Sequence, residues 1–433
     1  MRRSMIDPEP RYACHACGNC CTRPWRVVVE DEKIEAIQGF DWGAKYPHLA
    51  GKAVIRTDEV TGKTQHVLAK DDRGACVFFN HDTGKCVLHG ELGFDAKPHI
   101  CRQYPFGVCR APDGDRVFVH FSCSSVQDDE GPTLIEQQDE IRKLVKPTKG
   151  WNRNDVPFSQ DRTISIESCI LLGQRMADLF DGQDREDMWQ RFAQAIQLVV
   201  AVGRSDDDQL EDALRDPDFG TDTPNLELTG YQSLRQAPLT PRILLGMNLW
   251  TDLFPTHSLG KKVGVSRRIS MIMKLMQVVQ MRGVYASRLL HINIALSKLG
   301  SGGIVAPLPA QSGDLLRRWI RSRLVARSFA IDDLSILAAT HVLILDFNAV
   351  MFMAQALAVD TEAPPTHAMF KEALTQVGSH ITAQPRRFHI VFPAWTLSSL
   401  ESPSAAWSSL RLLHPAAPAE AESQPQRAQA SQA

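Results

Sequence analysis

The chain has 433 residues, of which 43% are hydrophobic and 23% are charged, a composition typical of a folded globular protein. This length corresponds to about two domains of ordinary size. The formal net charge of −2 excludes a general electrostatic attraction to nucleic acid or to an anionic membrane.

The N-terminus begins MRRSMIDP, in which two arginines are followed by no apolar stretch. A secretory signal needs about 7–15 consecutive apolar residues at this point. We therefore expect a cytoplasmic protein. A reducing cytoplasm disfavours structural disulfides, so clustered thiols there more often bind metal or do redox chemistry.

Residues 10–128 are rich in turns and short strands. The strand-like runs are 27–29, 53–55, 66–68 and 117–121, and turns such as Asp72–Gly74 and Pro112–Asp115 separate them. Because this region is poor in long periodic helices, we expect it to have little core of its own, so that metal crosslinks would contribute to its stability.

The pattern becomes helical from about residue 132, where Thr133 and Glu136 form a capping-box motif. Further helices are predicted over 165–180, 188–203, 241–253, 268–282, 285–299, 314–327, 331–358 and 366–379, after a linker at 147–154. Residues 415–433 lack aromatic side chains and are predicted to be disordered.

These patterns predict an α+β protein in three parts. A small mixed α/β cysteine-rich module spans 10–130, a mainly α-helical domain spans 131–414, and a disordered tail spans 415–433.

The stretch Leu334–Val359 is apolar enough to raise the question of a membrane span. It contains His341, Asp346, Asn348 and Gln355, and a charge near the centre of a spanning helix costs about 2.5–3.5 kcal/mol. We therefore predict a buried core helix.

Nine of the ten cysteines lie between Cys14 and Cys123, and the tenth is Cys169. The series opens with Cys14-x2-Cys17-x2-Cys20-Cys21. A Cys-x2-Cys turn lets two thiolates converge on one ion, and three thiols at this spacing are also typical of bacterial ferredoxins. Gly18 and Asn19 tolerate the left-handed backbone that such a loop often needs.

Neighbouring side chains of an extended chain point apart, so Cys20 and Cys21 are expected to serve different ions or different roles. The other thiols of the series are Cys76, Cys86, Cys101, Cys109 and Cys123. One zinc ion or one 4Fe–4S cluster takes four ligands, so nine thiols exceed one site and nearly match two.

Some of these residues have a simpler explanation. Free cysteines are often core residues, and this applies most to Cys109 and Cys169. Five histidines could replace a thiolate, although isolated histidines between turns are usually solvated: His15, His81, His89, His99 and His120. Aromatic residues around Cys101 would shield sulfur from water.

The combined order of motifs resembles a known family. Cys14-x2-Cys17-x2-Cys20-Cys21 precedes Thr22–Val27, then Cys76–Phe79, Gly84–Gly93, Lys97–Pro105 and Phe121–Cys123. In this order and spacing, residues 11–125 resemble the YkgJ family of zinc- or iron-chelating cysteine-cluster proteins, a superfamily that includes the flagellin lysine-N-methylases.

The resemblance implies metal chelation by eight residues: Cys14, Cys17, Cys20, Cys21, Cys76, Cys86, Cys101 and Cys123. It implies iron or zinc as the metal, including a 4Fe–4S cluster. It further implies methyl transfer from S-adenosylmethionine to lysine of a flagellin-like protein. Cys109 is an addition to the family pattern.

Two further hypotheses stand beside the enzyme. The chain could be a non-enzymatic protein that senses metal or redox state or binds a partner, since vicinal thiols are readily oxidised once metal leaves.

The enzyme hypothesis would need a binding site for S-adenosylmethionine, and the candidate glycine-rich loop is Gly300–Gly303. This loop follows a predicted helix rather than a strand, so it indicates helix termination and not a cofactor loop.

Basic residues raise a third hypothesis, binding to nucleic acid or an acidic partner. One predicted helix carries Arg317, Arg318, Arg321, Arg323 and Arg327, and a second cluster comprises Lys261, Lys262, Arg267 and Arg268. Such runs are usually solvated helix faces, and we expect no nucleic-acid function.

Overall fold

The computed structural model describes residues 5–23, 25–60, 63–146, 153–182, 188–221, 230–231, 234–249, 252, 265–300, 308–326, 334–381 and 393–414. Within these ranges, short strands and helices make up the cysteine-rich part of the chain, and longer helices dominate the remainder. The predicted α+β class is confirmed.

The N-terminal part consists of short elements. They are β1 (Met5–Ile6), α1 (Asp31–Gln38), α2 (Trp42–Lys45), β2 (Ile55–Val60), β3 (Lys63–Leu68), β4 (Phe79–Asn80), β5 (Lys85–Cys86), α3 (Val87–Leu92), α4 (His99–Gln103), β6 (Phe106–Ala111), β7 (Gly114–Val119), α5 (Ser124–Asp128) and α6 (Gln138–Leu144). A 3₁₀ turn at Pro47–Leu49 follows α2.

Strands β2 and β3 form an antiparallel hairpin in which Ile55 lies opposite Leu68. The predicted run 27–29 lies beside β3, where Val29 N–H donates to His66 O at 2.9 Å and Leu68 N–H donates to Val27 O at 2.9 Å. Residues of this region, including Ile37, Trp42, Phe78 and Leu88, bury a small core of their own.

The largest sheet has the order β1-β7-β6, with β1 parallel to β7 and β6 antiparallel to it. Val117, Val119, Phe121 and Val126 belong to the same hydrophobic core as the helices that follow. The second half of the cysteine-rich module therefore packs into the helical part. The domain boundary near residue 130 stays a prediction.

The remainder of the described chain is mainly helical. Its elements are β8 (Asp155–Pro157), β9 (Thr163–Ser165), α7 (Ile166–Asp178), α8 (Met188–Arg204), α9 (Asp207–Arg215), α10 (Leu239–Asn248), α11 (Val265–Gln280), β10 (Val284–Ser287), β11 (Ile292–Ala295), α12 (Leu296–Gly300), α13 (Ala310–Val325), α14 (Ile336–Asp360), α15 (His367–Gln376), α16 (Pro393–Leu400) and α17 (Pro403–Leu410). A π-helical turn at Val377–Ile381 follows α15, and a 3₁₀ turn at Arg411–Leu413 follows α17.

Helix α14 is the centre of the large core. Among the described residues it is the one helix long and apolar enough to cross a membrane, and 89% of that stretch is buried inside the fold. Two of its polar side chains have these internal partners: Arg323 pairs with Asp346 at 2.6 Å, and His341 Nε2 lies 2.8 Å from Ser409 Oγ. These buried contacts are those of a core helix.

Two helix starts show how local sequence acts. In the predicted capping box, Thr133 N–H donates to Glu136 Oε2 at 2.7 Å and Glu136 N–H donates to Thr133 Oγ1 at 3.3 Å. The helix itself, α6, begins only at Gln138. At α7 the Ser165 hydroxyl accepts from Ser168 N–H at 2.9 Å, so the predicted start is close to the observed one.

The prediction of a helix over 285–299 is wrong. Strands β10 and β11 pair antiparallel there, with Tyr285 opposite Ile294, and only the last residues turn into α12. The buried Asp252 carboxylate accepts hydrogen bonds from Tyr285 and from Ser287, the latter at 2.9 Å. A residue distant in sequence thus holds the hairpin.

The arginine side chains of α13 face inward. Arg317, Arg318 and Arg321 are 6%, 9% and 12% exposed. Their guanidinium groups pair with Asp7, Glu9, Asp129, Asp181 and Asp314. These arginines join the segment that carries Asp7 and Glu9, which we call the N-terminal arm, to the helical part. They therefore do not form an exposed basic face.

Several predictions fall outside the described residues. They concern the linker residues 147–152, Lys261, Lys262, residues 301–303, Arg327 and the tail 415–433.

Candidate metal centre

The loop that carries Cys14, Cys17, Cys20 and Cys21 turns sharply. Ala16 and Gly18 have φ values of +52° and +73°, and Cys21 N–H donates to Gly18 O at 2.8 Å. The expected left-handed residue Gly18 is present, whereas Ala16 takes the second such position in place of Asn19.

Gly18 also allows a close approach between segments. A Cβ at this position would lie 2.2 Å from the Phe79 ring and 2.8 Å from Gly84 O. No side chain larger than hydrogen fits there without movement, so Gly18 brings the cysteine loop against the β4–β5 hairpin.

Three more cysteines are placed beside this loop by short elements. Cys76 N–H donates to Cys21 O at 2.8 Å, which ties the two segments together. Cys86 ends β5 and immediately precedes α3, and Cys101 lies on α4.

Cys123 comes from the other side of the site, immediately before α5. The first residue of that helix contacts the loop, because Ser124 Oγ lies 3.3 Å from Cys17 Sγ and 3.2 Å from Asn19 Nδ2. His15 N–H donates to Ser125 Oγ at 3.1 Å. The start of α5 therefore anchors the cysteine loop.

The eight predicted ligands surround two adjoining cavities. Cys20, Cys21, Cys76, Cys86 and Cys101, which we call the inner group, line a cavity of about 40 Å³. Cys14, Cys17 and Cys123, the outer group, line a chamber of about 650 Å³ together with Cys20, Cys21, Cys86 and Cys101. The structure thus brings together thiols that are up to 109 positions apart in sequence.

Three thiols of the inner group are electrostatically linked. Hydrogen bonding among these thiols raises the pKa of Cys21, which lies against both Cys20 and Cys86, well above its usual range. The same bonds lower the pKa of Cys86 to about 6 and that of Cys20 to about 7. The Lys97 ammonium also lowers both values.

Burial raises the pKa of three further thiols, those of Cys76, Cys101 and Cys123. It raises the pKa of Cys76 to about 11, that of Cys101 to about 12 and that of Cys123 to about 11. Since metals bind thiolates, loading these positions would release protons. The site therefore combines ionised and protonated thiols near neutral pH.

Sequence reasoning expected the aromatic residues around Cys101, which include Tyr104, to shield sulfur, but it gave no role to Lys97, Trp25 or Tyr12. Lys97 lines both cavities, and Trp25 Nε1–H donates to Cys20 O at 3.1 Å. Tyr12 lines the chamber, and the Trp25 ring packs on Tyr104 with centroids 4.9 Å apart. Their proximity in sequence to Cys14, Cys20 and Cys101 is the signal that could have indicated them.

The remaining candidates lie elsewhere. Cys109 is buried on β6 and Cys169 is buried on α7, and neither lines the two cavities. Among the five histidines considered, His89 lines the chamber. His15 lies 3.5 Å from both Asp128 and Glu130, and His81 pairs with Asp71 at 2.6 Å.

The donor set fits a metal that prefers sulfur. Soft thiolates select zinc and iron–sulfur clusters, and the cavity walls are largely apolar. In the part of the chain that the structure describes, no three His, Cys, Asp or Glu side chains form a ready group for one ion. The thiols surround a space, so binding one ion would require them to close on it.

Thiols from several segments gathered around one space are typical of a class of proteins, the cysteine-rich metal-binding domains. A family model described as CxxCxxCC, putative zinc- or iron-chelating domain, matches residues 13–118, about a quarter of the chain. Seven of the eight predicted ligands lie within the match, and Cys123 follows it. This part of the chain is similar to a metal-chelating domain. No curated protein and no solved structure matches the chain.

Proposed function

We propose that the inner and outer groups together form a cysteine-thiolate metal centre. The observation that carries this proposal is that all eight cysteines line two cavities sharing Cys20, Cys21, Cys86 and Cys101. Eight thiols are enough for two four-ligand sites that share the boundary between the groups, or for one cluster with spare thiols. Zinc would supply a structural crosslink or a Lewis acid, and an iron–sulfur cluster would supply one-electron chemistry.

The chain's own residues have definite tasks in this proposal. Cys20 and Cys86 would bind as thiolates, and Cys21 would release its proton to solvent when metal binds. Lys97 offsets the accumulated negative charge, and the Trp25 and Tyr104 rings exclude water from the inner group.

The test is anaerobic purification followed by metal analysis and an absorption spectrum. Iron with acid-labile sulfide and a visible absorption band identifies a cluster, and a colourless protein with bound zinc identifies a zinc site. Cys86→Ala should lose metal, while Cys169→Ala is the matched control because Cys169 lies in the helical core. Full metal content in Cys86→Ala, or a wild-type protein without metal, would contradict the proposal.

A second candidate function is methyl transfer to a protein lysine. It is supported by the chamber, whose volume of about 650 Å³ and mainly apolar lining suit an organic ligand next to the thiols. The resemblance to flagellin lysine-N-methylases supplies the donor, S-adenosylmethionine, and a flagellin-like substrate. The alternative is a non-enzymatic metal or redox sensor in which the helical part binds a partner.

Calorimetric titration of metal-loaded protein with S-adenosylmethionine separates these two. Binding that Leu144→Trp abolishes by filling the chamber supports the enzyme, since Leu144 lines that space. No binding, with full metal content, favours the sensor. Metal analysis of the same sample keeps the outcome independent of the metal-centre proposal.

A further inference from the structure

The charge of this chain is strongly segregated. Residues 253–313 contain eight lysines and arginines and no aspartate or glutamate. The whole chain has a formal net charge of −2, so this segment carries +8 and the rest of the chain carries −10. Such asymmetry orients a protein toward anionic partners even when its net charge is near zero.

Within this segment, α11 presents apolar side chains to solvent. Ile269, Ile272, Met273 and Met276 are 56%, 51%, 59% and 37% exposed. Their spacing of three, four and seven residues places them in one stripe along the helix. Val284, on the strand that follows, is 53% exposed.

A different face of α11 holds the helix in place. Leu275, Val278 and Val279 are buried, and a Cβ on Gly246 of α10 would lie 2.7 Å from Leu275 Cδ1. Arg242 Nη1–H donates to Val279 O at 2.8 Å near the helix C-terminus. The helix is therefore docked, and the exposed stripe is a second apolar face.

We propose that α11 and the β10–β11 hairpin dock on an anionic lipid surface, with the stripe in the outer apolar layer and the exposed cations of these two elements at the headgroups. Lys274, Arg282 and Arg288 are exposed in this part of the chain. Interfacial helices combine an apolar face with an excess of lysine and arginine.

The apolar stripe favours a lipid surface over nucleic acid or a second copy of this chain as the partner. Nucleic acid would use the positive charge and leave four exposed aliphatic side chains without a contact. A second copy of this chain would bring Lys274, Arg282 and Arg288 against the same three cations, because a two-fold interface pairs the same patch. A lipid surface satisfies both charge and apolar area.

The test is co-sedimentation of the full chain with phosphatidylcholine vesicles, with and without phosphatidylglycerol. The protein should bind the anionic vesicles, and high salt should weaken binding. The double variant Ile272→Ser, Met273→Ser should bind at least about tenfold more weakly, because it removes apolar contacts in the acyl layer. The double variant Arg282→Gln, Arg288→Gln should bind anionic vesicles more weakly, and its binding should depend less on salt concentration.

The matched control is Ile135→Ser, which removes another aliphatic side chain that is 40% exposed, and it should bind as the wild type does. Circular dichroism and metal content should be equal for all variants. Equal binding to neutral vesicles, no vesicle binding, or undiminished binding by the Ile272 and Met273 variant would overturn the proposal. So would dimerisation or DNA binding by the wild type without vesicle binding.

Discussion

Cys21 occupies the middle of the linked thiols, with Cys20 on one side and Cys86 on the other. Hydrogen bonding with Cys21 lowers the pKa of both neighbours, and the N–H groups of Leu88 and His89 further lower that of Cys86. Cys20 and Cys86 therefore have reactive thiolates near neutral pH, while the buried Cys76 and Cys101 stay protonated.

Thiol alkylation of the metal-free protein tests this arrangement. The rate at Cys86 should rise with pH through its pKa of about 6 and then level off, because the thiolate is the nucleophile. Cys101, with a pKa of about 12, should react slowly throughout that range. Peptide mass spectrometry after timed iodoacetamide treatment measures both, and faster reaction at Cys101 than at Cys86 would contradict the assignment.

Gly18→Ala is the second residue-scale prediction. It places a Cβ against the Phe79 ring and forces alanine to keep a φ of +73°, so we expect a loss of about 2–4 kcal/mol in unfolding free energy. Metal affinity should fall with it. Urea denaturation and metal analysis measure the two effects.

Gly74→Ala is the control for Gly18→Ala. Gly74 has a φ of +79° with no atom within 4 Å of an added Cβ, so only the backbone cost of about 1 kcal/mol applies. Equal losses for the two variants would show that the close approach to Phe79 is unimportant.

At the scale of elements, α5 connects the cysteine loop to the helical part. Its first residue contacts Cys17, and Gln127 near its end donates to Thr375 Oγ1 at 2.9 Å and to Phe121 O at 2.7 Å. Arg318 Nη2–H donates to Gln127 O at 3.0 Å. One short helix thus contacts the cysteine loop, α13 and α15.

Gln127→Ala should reveal this connection. It leaves buried acceptors without a donor, so we expect a loss of about 1–3 kcal/mol in unfolding free energy and a less ordered cysteine loop. Hydrogen exchange of residues 14–21 together with urea denaturation measures both. Gln376→Ala, which removes an exposed bond to Glu372 on α15, should change neither, and unchanged loop exchange in Gln127→Ala would refute the connection.

Prediction from sequence succeeded for elements whose signals are local. Ser165 marks the start of α7, and the periodic apolar residues of α8 and α14 mark long helices near their observed positions. It failed at 285–299, where the buried partner of the hairpin, Asp252, lies more than thirty positions before it. Helix propensity there is overridden by tertiary contacts.

At the scale of the whole molecule, the arginines of α13 hold the N-terminal arm. Arg321 pairs with Asp7 at 2.9 Å and with Glu9 at 2.8 Å, and Asp7 is 1% exposed. Burial raises the pKa of Asp7, and the Arg321 charge partly opposes that rise. The contact between the N-terminal arm and α13 therefore depends on the buried Asp7 carboxylate, whose charge Arg321 compensates.

Arg321→Met should cost about 3–5 kcal/mol at neutral pH, because it leaves Asp7 charged, buried and without its partner. The raised pKa means that the folded state takes up a proton more readily than the unfolded chain. The loss should therefore shrink as pH falls through the folded-state pKa of Asp7. Urea denaturation at neutral and acidic pH measures this trend.

Adding Asp7→Asn to Arg321→Met should recover part of the stability at neutral pH, since it removes the uncompensated charge. Arg215→Met, which breaks an exposed pair with Asp212 at 3.0 Å, is the control and should change stability by less than about 0.5 kcal/mol. A pH-independent loss in Arg321→Met would argue against the role of Asp7.

The sequence by itself determined the kind of chemistry and the helical bulk of this protein. The Cys-x2-Cys spacing and the periodicity of apolar residues belong to contiguous stretches, so they are readable without a fold. Tertiary structure decided how the thiols are divided between the two cavities, with Cys76 and Cys101 beside Cys20 and Cys21 in the smaller one. It also turned the arginines of α13 inward, because such contacts depend on how distant segments pack.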